Sequence, residues 1–348
     1  MIGLHVPRVE VSVNGRRLTA AREADVLSLT VVQEPDTLDE LSLVLVDAPD
    51  QLLLDRPAAP PFDIGDGITV ALGYDTEATE VFDGEITGLS ARLPAESPPT
   101  LEVRAHSYLH RLLRGTHTRA FRDVKDSDVA RRIAADVGLG AEVVDTGTVH
   151  EHLLQYNQTD LAFLRERAHR LGYALSAAGR KLRFGPVALD GPPALALVWG
   201  DDLEEVTLTA DGLRQVPAVE VHGQDPATAA PFAARTTAND VPVMGARTPG
   251  ASVGQRLVAA IEVVTDPLAV TPEEAQRRAR GRLRARAAEF VHGTGTTRGR
   301  AELRAGTVVT VRGVGAWLTG DYYVARVTHT VDAEGFETRF AVQRTGYR

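Results

Sequence analysis

One pattern occurs twice, near opposite ends of the chain, and it limits the folds open to everything between. Gly67-Ile68-Thr69-Val70, Phe82-Asp83-Gly84 and Leu101-Glu102-Val103-Arg104 form the first copy. Gly306-Thr307-Val308-Val309, Thr319-Gly320-Asp321 and Thr338-Arg339-Phe340-Ala341 form the second. Glycine to glycine is 17 residues in the first and 14 in the second, and from there to the third strand (Val103, Phe340) is 19 and 20. A repeat of this size predicts a duplicated β module; chance agreement among short strands is the competing explanation.

The first hundred residues read as β throughout. Val26–Val32 and Leu41–Val46 are strand-like runs around a turn at Glu34-Pro35-Asp36. Both carry apolar residues on both faces, so one face of each is expected to meet another domain or chain. After a proline-rich loop at Arg56–Pro61 come Ile68–Tyr74, Val81–Leu89 and Leu101–His106, with a hairpin tip at Pro94–Pro99. Five or six such strands are enough for a small barrel or sandwich. Residues 111–190 read as α+β. Asp126 or Ser127 can cap a helix bearing Val129, Ile133 and Val137 and stopped at Gly138. The last part returns to β, with strands expected at Val219–His222, Leu257–Val264, Thr307–Arg312, Tyr322–His329 and Phe336–Gln343. Asp225–Gly250 reads as a long surface loop. Thr271-Pro272-Glu273-Glu274 starts a helix over 272–291 with Ala275, Ala279, Leu283, Ala287 and Phe290 along one side.

The middle contains Gln155–Leu175, QYNQTDLAFLRERAHRLGYAL. Polar residues end a strand, Thr159 or Asn157 caps a helix, and Asp160 sits at the positive end of its dipole. Leu161, Leu164, Ala168 and Leu171 make one apolar stripe, Gly172 supplies a left-handed stop, and Tyr173-Ala174-Leu175 opens a strand toward Leu182-Arg183-Phe184. Phe163 lies off the stripe, so a second packing surface is expected for it. On residue chemistry alone this is an ordinary αβ element.

The run Q-Y-N-Q-T-D-L-x-F-L-x-x-x-A-x-x-L-G-Y nevertheless resembles a signature of the phage late control gene D proteins, the baseplate hubs of contractile tails. It is also similar to the hub half of the VgrG spike of type VI secretion. Phe82-Asp83-Gly84-Glu85-Ile86-Thr87 looks like that family's first-barrel strand. Gly320-Asp321-Tyr322-Tyr323-Val324, Val327-Thr328-His329 and Gly335-Phe336-Glu337-Thr338-Arg339-Phe340 look like its last barrel. The resemblance runs from about Gly65 to Arg344. It implies a mainly β chain with an α+β middle domain: a tube-like antiparallel β-barrel over 1–110, a small α+β domain over 111–190, and a second tube-like barrel over 191–348 that carries the 225–250 loop and the 272–291 helix. It further implies a homotrimeric baseplate hub that joins a six-fold inner tube to a three-fold spike, with an inner tube protein, a spike and other baseplate proteins as partners. The family is structural, so no catalytic, metal or cofactor residues carry over. Because Tyr347-Arg348 ends the sequence directly after the last barrel strand, the OB-fold spike is expected as a separate protein.

Composition trims the alternatives. The net charge of −9 argues against a nucleic-acid binder working through bulk charge. With no cysteine, disulfides and thiolate metal sites are excluded. Met1–Glu10 has no apolar core of signal-peptide length and no window approaches a membrane span, so synthesis and assembly in the cytoplasm are expected, followed by incorporation into a tail-like particle. His106 with His110, or His150 with His152, could ligate a metal, but neither pair has an adjacent third ligand. Asp201-Asp202 and Glu204-Glu205 form an acidic knot, read as a solvated loop. Gly293–Gly299 lacks the Gly-Lys-Ser/Thr ending of a phosphate loop and is read as linker. Six arginines between Arg277 and Arg286 are read as a helix exterior rather than a nucleic-acid face. A tail-tip peptidoglycan hydrolase is the alternative function, although the hub pattern leaves no segment spare for it. A carbohydrate-binding β protein needs exposed aromatic platforms, which the 5% aromatic content does not favour.

Overall fold

The computed structural model describes residues 6–47, 61–244, 248–266 and 269–347. Its first part holds β1 (Pro7–Val13), β2 (Arg16–Arg17), the short α1 (Ala20–Ala24), β3 (Val26–Gln33), β4 (Glu40–Val46), β5 (Gly67–Tyr74), β6 (Glu77–Arg92) and β7 (Thr100–Ser107). Alternate side chains turn inward along each strand, as a period of two requires. Leu29 and Val31, Leu41, Leu43 and Leu45, Ile68, Val70 and Leu72, and Val103 and Ala105 thereby share one core. Every strand expected in this part is present. The expected loop at Arg56–Pro61 lies outside the described residues except for Pro61.

After a 3₁₀ turn at Tyr108–Leu113, the middle comprises β8 (His117–Val124), α2 (Asp126–Asp136), β9 (Gly140–Val143), β10 (His150–Gln158), α3 (Asp160–Leu171), β11 (Tyr173–Ala178) and β12 (Lys181–Pro186). The start and stop of α3 follow the sequence signals. The Ala162 N–H donates to Thr159 Oγ1 at 3.2 Å, and Gly172 ends the helix at φ 67°. Leu161, Leu164 and Ala168 enter a core with Val129, Ile133, Leu175, Leu182 and Phe184. Phe163 finds its second surface on β8, stacked against Phe121 at 6.2 Å between ring centroids. The expected cap of α2 is corrected: Lys125 is the cap residue, its N–H donating to Asp128 at 3.3 Å. Asp126 lies inside the first turn because its carboxylate is drawn into the domain by Arg167 and His150.

The last part runs β13 (Leu195–Val198), β14 (Leu203–Ala210), β15 (Ala218–Gln224), β16 (Pro231–Thr237), β17 (Thr248–Pro249), α4 (Gly250–Leu257), β18 (Glu262–Thr265), α5 (Pro272–Ala288), β19 (Val291–Arg298), β20 (Val308–Arg312), β21 (Gly320–Asp332), β22 (Gly335–Arg344) and β23 (Gly346–Tyr347). Three expectations change here. The supposed loop over 225–250 contains β16, which pairs with β15 and turns Ala234 and Thr236 inward; small residues hid its alternation. The strand expected over Leu257–Val264 is confined to β18, because α4 takes Leu257 into its last turn. The supposed linker at Gly293–Gly299 is mostly β19, a central strand. Its glycines are there for close approach: a Cβ on Gly293 would lie 2.0 Å from the Thr207 carbonyl oxygen, and one on Gly295 2.5 Å from the Phe340 ring. Between β14 and β19 the inserted β15–β16–β18 sheet and α5 share a core of their own built on Val219, Val221, Ala275, Ala279 and Leu283.

The duplication is present in the topology. The first module has strand order β3-β4-β7-β6-β5-β1, and the second has β14-β19-β22-β21-β20-β13. Corresponding strands also follow one another in the same order along the chain. Two β-bulges coincide as well. One skips Thr87 on β6 and Ala325 on β21; the other skips Leu27 on β3 and Glu204 on β14. The modules differ at one edge, where β1 lies antiparallel to β5 but β13 parallel to β20. Counting from the bulges places Val103 opposite Phe340, as the repeat predicts. It places Gly84 on Tyr322, however, not on Gly320, because inward-facing side chains and bulges set a strand's register and glycines do not.

Leu164 is 1% exposed at the centre of the middle core. Leu164→Ala is expected to cost about 2–5 kcal/mol, read as a lower denaturant midpoint at unchanged slope; an unchanged midpoint would refute its place there.

Candidate assembly surface

The two modules do not stand apart. β21 is long enough to serve both: Gly320–Tyr323 pair with β20, and Val327–Val331 pair antiparallel with Gln33–Leu29 of β3. Among the described residues the result is one 13-stranded sheet. Second-module residues Ala301, Val331 and Phe336 complete the first module's core. Tyr74 packs its ring 5.7 Å from Phe336 and donates its hydroxyl to the Phe336 carbonyl at 3.3 Å. Arg326 faces Glu34 at 3.8 Å across the seam, an exposed pair of small energetic weight. One face of β3 and β4 lines the core, while Thr30, Val32, Val44 and Val46 on the other face are half-buried.

Ionisable groups lie in the same seam. His329 is fully buried, with Nδ1 3.0 Å from Thr338 Oγ1, and burial together with nearby Arg304 pushes its pKa down to about 4. Burial pushes the Asp39 carboxyl up to about 7 despite the opposing effect of Arg304. Asp39 also lines a cavity of about 910 Å³ between the two modules and the middle domain, with Glu80, Asp83, Arg183, Arg304 and Tyr323.

The middle domain carries its own buried polar knot. Asp126 accepts from Arg167 and, at 2.9 Å, from His150 Nε2. Burial alone would raise this carboxyl, but those two donors hold it at about 2. Gln155 and Arg119 both donate to Asp160, so the polar start of the signature stretch braces the helix it precedes. The stop of that helix meets α5: a Cβ on Gly172 would lie 2.7 Å from Gly281 Cα.

The remaining candidates resolve individually. His106 sits 2.7 Å from Thr87 Oγ1, and His110 donates to Glu85 at 2.7 Å. His150 is buried while His152 is exposed. Among the described residues no group of three or more His, Cys, Asp or Glu side chains is placed to hold a metal. In the acidic knot, Asp202 pairs with Arg300 and Glu204 with Arg298, so it is bound to β19 and its following turn and is not a free loop. The α5 arginines are likewise not simply an exterior. Arg278 is buried against Glu274 and Asp266, and Arg282 and Arg286 converge on Glu262. Only the Glu274–Arg278 pair, four residues apart on one helix, is a local signal; the other partners lie farther away in the chain. No helix among the described residues is long and apolar enough to cross a membrane.

As pH falls from 6.5 toward 4, the unfolded chain protonates His329 before the folded one does, so folding loses up to roughly 3 kcal/mol. His329→Asn should therefore gain stability relative to the native chain across that window, and a pH-independent difference between the two melting curves would refute the shift.

Known structures share this architecture. The 43 kDa tail protein of prophage MuSo2 from Shewanella oneidensis aligns at TM-score 0.71 and 14% identity over 97% of this chain and 98% of that one. A tail protein from Neisseria meningitidis aligns at 0.68 and 14%, covering 97% and 96%. The Escherichia coli c3393 protein, a component of the type VI secretion system, aligns at 0.62 and 13%, covering 97% and 78%. At these identities the likeness is one of fold: a mainly β fold found in phage tail and type VI secretion proteins. No curated protein sequence matches the chain. The family model described as the Alg8 N-terminal domain matches residues 4–333, and the chain belongs to that family.

Proposed function

We propose that this chain is a structural baseplate hub of a contractile phage-tail-like particle or injection system, adapting a six-fold inner tube to a three-fold spike. The observation that carries this reading is the pair of six-stranded modules with one strand order, joined side by side within a single chain. Three chains closed into a ring offer six modules to a tube while keeping three-fold order for a spike. The likeness in fold to tail proteins and to a type VI secretion component supports the same role. The partners are two further copies of the chain, an inner tube protein, an OB-fold spike and other baseplate proteins. Assembly takes place in the cytoplasm, before the chain leaves as part of the particle. The work is mechanical, and we assign the chain no catalytic residue and no cofactor.

Light scattering on the chain mixed with its tube and spike should give three copies per complex. A stable dimer or an obligate six-chain ring would overturn the scheme. Purified chain should release no peptidoglycan fragments from cell walls; clear release would favour a tail-tip hydrolase.

A further inference from the structure

The seam inside the chain is made twice over in the sequence but only once in the chain itself. Matching the modules through their shared bulges makes Leu89, Ala91 and Leu93 the counterparts of Val327, His329 and Val331. It makes Val206 and Leu208 the counterparts of Leu29 and Val31. In the internal seam, Val331 faces Leu29 and His329 faces Val31, and all four are buried. The counterparts lack that cover. Leu93 is 69% exposed against 8% for Val331, and Ala91 is exposed where His329 is fully buried. Val206 and Leu208 are half-buried where Leu29 and Val31 are 0% exposed. Among the described residues, β14 beyond Leu203 pairs with β19 alone, and β6 beyond Ile86 pairs with β7 alone. Among the described residues each therefore presents an unpaired backbone edge beside an incompletely covered core.

We infer that these two edges are the halves of a contact between copies: the Gly88–Leu93 edge of one copy pairs antiparallel with the β14 edge of the next, in the register of the internal seam. Leu93 then faces Val206, Arg92 faces Thr207, Ala91 faces Leu208 and Leu89 faces Ala210. Leu93 fills the side of the second module's core that the described residues of the single chain leave half-covered, as Val331 does for the first module. Arg92 also comes diagonally near Glu205, an opposite-charge pair in the geometry of cross-strand neighbours. Because the two edges lie on different modules, the contact is heterologous, and it closes only when the internal and external seams repeat the same rotation. This inference rests on the ring reading above and adds to it the edge, the register and the residue that completes the core.

The absence of cysteine makes the test direct. Arg92→Cys and Thr207→Cys are exposed positions in the single chain, so the double variant should fold normally. With tube and spike present and under mild oxidation, it should form chain-to-chain disulfides visible on a non-reducing gel. Arg92→Cys with Thr209→Cys, two residues out of register, should link at least tenfold less. Leu93→Asp should abolish association while leaving the melting temperature of the isolated chain unchanged, since the side chain is solvated there. Association without the in-register disulfide, equal linking by both pairs, or normal association of the Leu93→Asp variant overturns the inferred contact and leaves the hub reading standing. Absence of any association of the native chain with tube and spike present sinks both.

Discussion

The architecture depends on one strand belonging to two sheets. A β-barrel-like module normally protects its edges by closing on itself. Here β21 runs past the end of β20, and its surplus length pairs with β3. That ladder turns two modules into a continuous sheet and carries Val331 and Phe336 into the neighbouring core. Hydrogen bonding fixes the register and apolar burial supplies the larger energy. A slip by one residue would send Val331 to the solvent face and bring a polar neighbour inward.

The middle domain is joined to the first module at the β3–β4 turn, where the Asp36 N–H donates to the Leu175 carbonyl and the Leu175 N–H to the Asp36 carboxylate, both at 2.7 Å. α3 presents its apolar stripe to its own domain and its terminus to α5, where two glycines let the backbones touch. Asp126 and Glu274 are each taken inside together with an arginine, and Asp126 with a histidine as well. Such clusters add geometric definition more than net stability, since desolvation offsets most of the attraction.

Much of the fold could be read from the sequence where a local signal decided it. The cap at Thr159, the stop at Gly172, the cap and proline opening α5, and the alternation along β7 all act within a few residues. The duplication is visible as spacing, although its glycines give the wrong register because they serve different local needs, a close approach to the His106 backbone at Gly84 and a positive φ at Gly306 and Gly320. What escaped was decided at a distance. β19 looked like linker because its glycines answer to Phe340 and the Thr207 backbone, and β16 looked like loop because its buried face is made of alanine and threonine. The seam of β21 with β3 is made by backbone edges, which any strand sequence offers. Nothing local says that residue 331 faces residue 29.

The contact between Gly172 and Gly281 also bears on how such chains can be reshuffled by recombination. A segment swap at the visible domain boundaries, near residues 110 and 190, would import a foreign helix stop against a resident α5. With no space for a Cβ on Gly172, and with Gly281 equally closed from its own side, any donor carrying a side chain there would hold the two helices apart. The smallest interchangeable unit is therefore not the middle domain but the middle domain together with α5 (Pro272–Ala288), two pieces about eighty residues apart in the sequence that must travel as one.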